Sequence, residues 1–596
     1  MFKKSLLILT SIFLLTSCGS SHDDSTSTSG ESLTDSTGGD KSSSATTSGD
    51  IPGEDYGIID SIQDTSILHA WNWKMNDIRL RLQTIYDAGY RSVQISPMQP
   101  KLDKTDLTWP DTASQWWRLY QPLEFKVAEA NENYLGTKDE LTSLCKEANK
   151  LGIRIVVDIV SNHLAGKNDQ YNSQVYTRYP LHTYNGNTSD SSIEATVWGR
   201  VGGLPDVDTG TTQVQNAVLN MLKEYLDCGV NGFRFDTAKH IETPEDGAYA
   251  SDFWPTVLEG ATSYANLKNY EKPYYYGEIL YQCGGGRSWD IYTKRMSIID
   301  NTQGSHILSD VINKSTSHLL NDYYTGADAD HLVLWAESHD TYANDSHETT
   351  YVSSTNIKKT YVIQASRKDA ASLYFARPSS MSAPMSSIAD TGWKDQEIVA
   401  INKFHNRYID KSENLYLDNN CFINVRGEGD FAGAAIVNIN SSNEVQLSLN
   451  GLVNGSYTDL ASGKTYEVID SKASISFKND VCILVPSSSK EAKECPDPLE
   501  EVTYSSSVVI KGAPNDKTYL CYRWTNNSDG SFISFNTDND AIGVNLSNNE
   551  NYIIVEFPLG TTPASANWGI KIRQTNDLRF DGNQIIYNFE NITWKS

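Results

Sequence analysis

Several short apolar runs in this chain stop at acids or histidines, with helical segments between them. IRIVVDIVSNH (153–163) carries Asp158 and ends in Asn162 and His163, while GFRFDTAKH (232–240) carries Arg234 and Asp236. YYYGEI (274–279) carries Glu278, and HLVLWAESHD (331–340) ends in Glu337, His339 and Asp340. Short apolar runs of this kind read as strands buried on both faces, and an acid placed where such a strand stops faces a cleft rather than the core. From Ser66 to about Pro378 strand and helix alternate: SILHAW, one helix through Asp77, Ile78, Leu80, Leu82, Ile85 and Tyr86 stopped by Gly89, then SVQISP, KDELTSLCKEANKLG and onward to LYFARP as the last strand. The pattern predicts an α/β fold, a (β/α)8 TIM barrel whose C-terminal face carries the chemistry.

A chain of 596 residues exceeds one core, so about two to four domains are expected. The barrel is assigned to 54–400. Periodicity fails over 164–210, which is expected to be a lobe inserted after the third strand. Short alternating segments over 401–487 predict a C-terminal β-sandwich, 488–501 a linker, and 502–596 a second all-β domain carrying Tyr519, Tyr522, Trp524 and Trp568. At the N-terminus, Lys3 and Lys4 precede an apolar stretch too short to be a permanent span, so 1–18 is expected to be a signal peptide. Leu15-Thr16-Ser17-Cys18 resembles a bacterial lipobox, which implies a lipid anchor at Cys18 outside the cell; full secretion after ordinary cleavage is the alternative. Residues 19–53, rich in Ser, Thr, Gly and Asp, are then a disordered tether.

The net charge of −26 and pI near 4.8 argue against nucleic acid or an anionic membrane surface as partner. The 33 tyrosines and 13 tryptophans suit sugar rings or simply a tyrosine-rich core. Without Cys18 seven cysteines remain, an odd number without metal-ligand spacing, so zinc is not expected and most should be buried free thiols; a Cys495–Cys521 bridge is left open.

Cleaving an acetal needs a proton donor and a negative group facing the cationic carbon, and Asp236 and Glu278 are the natural pair. Arg234, two residues before Asp236, is expected to hold that acid ionised as nucleophile. Glu278, after a tyrosine-rich strand, is expected to have a raised pKa as acid and then base. Asp340 beside His339 would bind sugar hydroxyls.

DIVSNH, LPDVD (204–208), GFRFDTAKH, GEIL and ESHD match, in order, the motifs of the α-amylases of glycoside hydrolase family thirteen. HAWNW (69–73), WWRLYQP (116–122) and ESHDTYAND (337–345) resemble most the secreted amylases of bacilli. The resemblance implies an extracellular, endo-acting, retaining enzyme on α-1,4-glucans, with Asp236 as nucleophile, Glu278 as acid/base and Asp340 as transition-state stabiliser. It implies substrate contacts from His163, Arg234 and His339, ring stacking by Tyr120, and Lys239 and His240 on the leaving-group side. Trp116 and Trp117 are further platforms. It also implies a structural calcium between barrel and lobe, held by Asn162, Asp206, the His240 carbonyl and a fourth ligand near Thr196. Ser338 stands where chloride-dependent amylases carry asparagine, which argues against a chloride requirement. The competing readings are a transglycosylase of the same family and a surface glucan-binding protein without catalysis. A monomer is expected, with 502–596 as a starch-binding module or a plain spacer.

Overall fold

The structure is a computed structural model that describes residues 65–101, 112–166, 178–344, 346–383, 388, 391–494, 504–525, 530–538 and 541–595. The expected signal peptide, tether and Cys18, together with Cys495, lie outside the described residues. Eight parallel strands form a closed barrel: β1 (Ser66–Ala70), β2 (Ser92–Ile95), β3 (Arg154–Ile159), β4 (Gly232–Phe235), β5 (Tyr274–Gly277), β6 (Ser297–Ile299), β7 (Leu332–Trp335) and β8 (Ala371–Phe375). Closure is made by β1, where Ile67 pairs with Ser92 on one side and Leu373 on the other.

Strand period decides which side chains fill the interior. Ile67, Val156, Tyr276, Val333, Trp335 and Leu373 cluster inside the barrel, while their neighbours Leu68, Ile155, Val157 and Phe233 join the larger core under the helices. The interior parity runs from Val156 to Asp158 on β3. On β4 the register pairs Arg234 with Asp158, and on β5 it pairs Tyr276 with Arg234. Two residues further, the same parity brings Asp236 and Glu278 to the mouth.

Helices α1 (Met75–Leu80) and α2 (Leu82–Asp87) follow β1, α3 (Lys138–Lys150) follows β2, and α4 (Ile193–Val197) and α5 (Thr212–Asp227) follow β3. The rest of the ring is α6 (Gly260–Lys268), α7 (Asp290–Thr293), α8 (Asn301–Asn313), α9 (His339–Ala343), α10 (Ser354–Ala365) and α11 (Gln396–Arg407). The single helix expected over 77–86 is two helices that break at Arg81 (φ −109°, ψ 4°). The Arg81 guanidinium donates to the Asp77 carbonyl at 3.2 Å, the acceptor its own N–H would use in an unbroken helix, and that N–H turns instead to Ile78 O at 2.9 Å. Gly89 ends the pair as expected: its φ is +87°, and a Cβ there would lie 2.7 Å from Asn402 Cβ.

The boundary expected at 400/401 falls inside α11. Helix propensity carries on to Arg407 because Asn402 and Asn406 donate to the carbonyls of Ala88 (3.0 Å) and Gly89 (2.8 Å), fastening the helix to the start of the barrel. A six-stranded and a two-stranded antiparallel sheet then occupy 413–486. Residues 488–494, expected to be linker, hold the short helix α12 (Lys490–Lys493), capped by Ser489 and tied through Glu491 to Arg407 at 2.7 Å. A four-stranded and a five-stranded sheet make up the last domain, which reaches the barrel through Asp581 and Lys74 at 2.9 Å. Cys145, Cys228, Cys283, Cys421, Cys482 and Cys521 are buried free thiols. No helix among the described residues is long and apolar enough to cross a membrane.

Candidate active site

A buried arginine organises the barrel mouth. Arg234 Nη1 donates to both oxygens of Asp158 (2.8 and 2.9 Å) and to Asp236 Oδ1 (2.9 Å), while Nη2 lies 3.0 Å from Glu278 Oε1. Sequence reasoning did not single out Asp158 as a site residue. A carboxylate inside an apolar strand must find a charged partner, and that was the available signal. Tyr120 adds a third hydrogen bond to Asp158, from its hydroxyl to Oδ2 at 2.7 Å. Glu278 accepts from the Thr237 N–H at 2.8 Å and is hydrogen-bonded by Asp340. Thr237 holds φ +49°, a left-handed conformation that a branched residue rarely adopts and that turns the chain just after Asp236.

The proton order differs from the expectation. Burial would raise Glu278, but Arg234, the Thr237 N–H and Asp340 outweigh it and bring the carboxyl down to about 2. Asp236 moves the other way, pushed well above the carboxylate range by burial and then by the Glu278 charge. Asp340 is raised too, by burial and by Glu278. The reason is geometric: Asp158 takes both hydrogen bonds it needs from Nη1, so Asp236 shares a nitrogen while Glu278 has Nη2 and a backbone donor. Without a sugar in the mouth, Glu278 is therefore the most readily ionised of the three acids, and Asp236 and Asp340 hold a proton more readily than it does.

A cleft of about 340 Å³ opens above these acids, lined among others by Trp116, Trp117, Tyr120, His163, Lys239 and His240. His339 stands at its aromatic wall, stacked on Tyr120 (5.0 Å, 17°) and met edge-on by Trp116 at 5.2 Å and His69 at 5.5 Å. Burial and then Arg234 lower His339 to about 3, and burial lowers His163 to about 4, so both rings are neutral. His69, which the residue analysis did not select, lies under the same wall. Trp117 is 38% exposed, while Trp116 is partly buried against the core and presents less of its face to the cleft. Lys239 Nζ reaches Asp190 of the lobe (3.2 Å) and the Leu280 carbonyl (3.3 Å). Glu337, one of the strand-end acids, is held by Arg377 at 2.6 and 2.9 Å and plays a structural part. Ser338 caps α9.

The residues expected to hold calcium converge, with one exception. Asn162 Nδ2 lies 3.0 Å from Asp206 Oδ1 and 2.8 Å from the His240 carbonyl. His163 Nε2 faces the Tyr120 carbonyl at 3.0 Å and must donate to it, which leaves Nδ1 of the neutral ring as an acceptor 3.2 Å from Asn162 Oδ1. Two acceptors face each other there. Turning the Asn162 amide over resolves that conflict and sets three oxygens, from Asn162, Asp206 and His240, around one point, an arrangement that only a hard cation satisfies. Burial also pushes Asp206 up to about 7 although His182 is beside it, so the protein's own groups undercompensate this acid. The donor set thus fits calcium, which would tie the lobe to the barrel. Thr196 is the exception: its carbonyl accepts from the His240 ring at 2.8 Å, and its hydroxyl donates to Ser189 and Ser192 carbonyls.

Residues 81–371 match the family model described as alpha amylase, catalytic domain. This segment is an α-amylase-type catalytic domain. An α-amylase of Clostridium acetobutylicum is 33% identical over 414 residues, covering 68% of this chain and 51% of that protein. An α-amylase of Butyrivibrio fibrisolvens is 30% identical over 451 residues, covering 68% and 45%. The chain spans about half the length of these curated relatives. Among solved structures, a variant of α-amylase I of Eisenia fetida in complex with maltohexaose shares the fold, with a TM-score of 0.56 and 18% identity over 71% of this chain and 97% of that one. The catalytic domain thus places its motif carboxylates at the C-terminal face of the barrel, where such folds do chemistry.

Proposed function

We propose that the chain is an endo-acting, retaining α-amylase that hydrolyses α-1,4-glucosidic bonds in starch, glycogen and related glucans. The observation that carries this reading is the sharing of one guanidinium by Asp236 and Glu278. Carboxylates on neighbouring nitrogens of one fork favour the ~5–5.5 Å spacing of double displacement over the ~6.5–9.5 Å of an inverting site. In this reading Asp236 attacks the anomeric carbon, Glu278 protonates the leaving oxygen and then activates water, and Asp340 steadies the distorted ring. When a glucose unit enters, it parts Asp340 from Glu278, and the proton they share passes to Glu278, which makes it the acid. Arg234 then compensates the ionised Asp236. His163 and His339 bind the cleaved residue, Tyr120 and Trp117 stack on glucan rings, and Lys239 and His240 meet the leaving-group side. Calcium at Asn162, Asp206 and the His240 carbonyl keeps the lobe on the barrel.

Support for a glucan substrate comes from the relatives bearing the α-amylase name and from the maltohexaose complex of the Eisenia fetida enzyme. Kinship to bacillus enzymes in particular rests on the three short motifs HAWNW, WWRLYQP and ESHDTYAND. The lipobox supports display outside the cell through Cys18, and the chain is read as a monomer. The test is release of reducing ends from soluble starch by the wild type and by Asp236→Asn. Unchanged activity in the variant contradicts the reading, and starch binding without any release points to a non-catalytic glucan grip. Adding maltose separates hydrolysis from transglycosylation, since a transglycosylase would shift its products to longer chains.

A further inference from the structure

Beside the oxygen cluster assigned to calcium lies a second group of different chemistry. His182 of the lobe is buried, its side chain only 5% exposed, and its Nδ1 donates to Asp206 Oδ2 at 2.6 Å. Its other nitrogen, Nε2, points toward two further carboxylates: Glu242 Oε1 at 2.7 Å and Asp208 Oδ1 at 3.4 Å. Both contacts are at ion-pair distance, but neither is an aligned hydrogen bond, and Nε2 is left as a buried polar atom without a hydrogen-bond partner. One atom from each of His182, Asp208 and Glu242 lies within 4.8 Å of the others.

We propose that His182, Asp208 and Glu242 form a second metal site, distinct in chemistry from the calcium site, that takes a divalent transition cation of the zinc class. Several features of the surroundings are those of a built site. A metal-binding histidine characteristically gives its other N–H to a carboxylate that fixes the tautomer, and Asp206 does this for His182. Glu242 is oriented by the Trp198 indole N–H at 2.9 Å and by the Thr209 hydroxyl. Trp198 also stacks on the His182 ring (5.2 Å, 20°) and fixes its plane. The imidazole nitrogen selects against calcium, which takes oxygen ligands, and favours zinc. Ligands at ~2.0–2.2 Å from a tetrahedral ion stand about 3.3 Å apart, close to the His182–Asp208 separation of 3.4 Å, while the His182–Glu242 pair at 2.7 Å has to open to admit the ion. Asp208 is 34% exposed, which leaves a route in and room for water as fourth ligand. Asp206 then joins two sites, one oxygen to each, and the second ion pins the lobe to the segment after β4 that carries Lys239 and His240.

The test uses the full chain purified without chelator and dialysed with zinc in millimolar calcium. Metal analysis is expected to find one zinc per chain that calcium does not displace, bound at least ~100-fold more weakly in His182→Gln and in Glu242→Gln. Zinc-edge X-ray absorption on the wild type is expected to show an imidazole nitrogen at ~2.0–2.1 Å, a readout that stands even if a variant does not fold. Absence of stoichiometric zinc, an all-oxygen shell, or unchanged zinc binding in a folded His182→Gln protein would overturn the proposal. Amylase activity without zinc would leave the proposed glucan chemistry intact, so the two readings fail separately.

Discussion

At the scale of single residues, Arg234 decides most of what the mouth of the barrel can do, because three carboxylates converge on its guanidinium. Asp236→Asn and Glu278→Gln are each expected to lower kcat on soluble starch by ~10²–10⁴-fold. The proton shared by Asp340 and Glu278 gives a sharper expectation. In Asp340→Ala the hydrogen bond that favours ionisation of Glu278 is gone, so the basic limb of the kcat/KM profile should move to higher pH; an unmoved limb would show that Glu278 draws its proton elsewhere. His339 supplies a stability test. Its folded value near 3 lies below the ordinary 6.5, so the unfolded chain binds more protons in between: stability is full above about 6.5 and falls as pH drops toward 3. Urea unfolding of wild type and His339→Asn should diverge by about 1.4 kcal/mol per pH unit between about pH 5.5 and 4, the wild type losing more. Asp236, Glu278 and Asp340 were legible in sequence as acids at strand ends. Their proton order was not, because it depends on how Asp158, Asp236 and Glu278 divide one guanidinium, and that division is set by cross-strand register.

At the scale of elements, the alternation of strand and helix was legible because β-barrel strands buried on both faces leave unbroken apolar runs. Breaks and boundaries were less so. The split at Arg81 comes from a side chain capturing a backbone acceptor, and α11 overruns the expected boundary because two asparagines dock on the carbonyls of Ala88 and Gly89. Gly89→Ala should therefore cost about 2 kcal/mol or more, since it combines a left-handed φ with a Cβ that meets Asn402, measured as a lowered urea midpoint. By contrast Thr137→Ala, which removes the capping box of α3, should cost about 1 kcal/mol and leave kcat unchanged.

At the scale of the whole molecule, the lobe is joined to the barrel through the apolar residues Leu164, Ala165 and Val207 of the shared core and through polar groups: Asn162, Asp206 and the His240 carbonyl at one point, Lys239 with Asp190 at another. Asn162, Asp206 and His240 were expected as calcium ligands from the family motifs and the structure brings their polar atoms together, whereas the Thr196 carbonyl faces the His240 ring, a contact that no motif in the lobe announced. Calcium removal by a chelator should lower the melting temperature, as binding at 100 times the dissociation constant contributes ~2.7 kcal/mol, and Asn162→Ala should abolish that response. The central claim is double displacement by Asp236 and Glu278. Its most direct test is proton NMR of the first products from soluble starch, recorded before mutarotation: newly formed reducing ends in the α configuration are predicted, and β-configured ends would contradict the account.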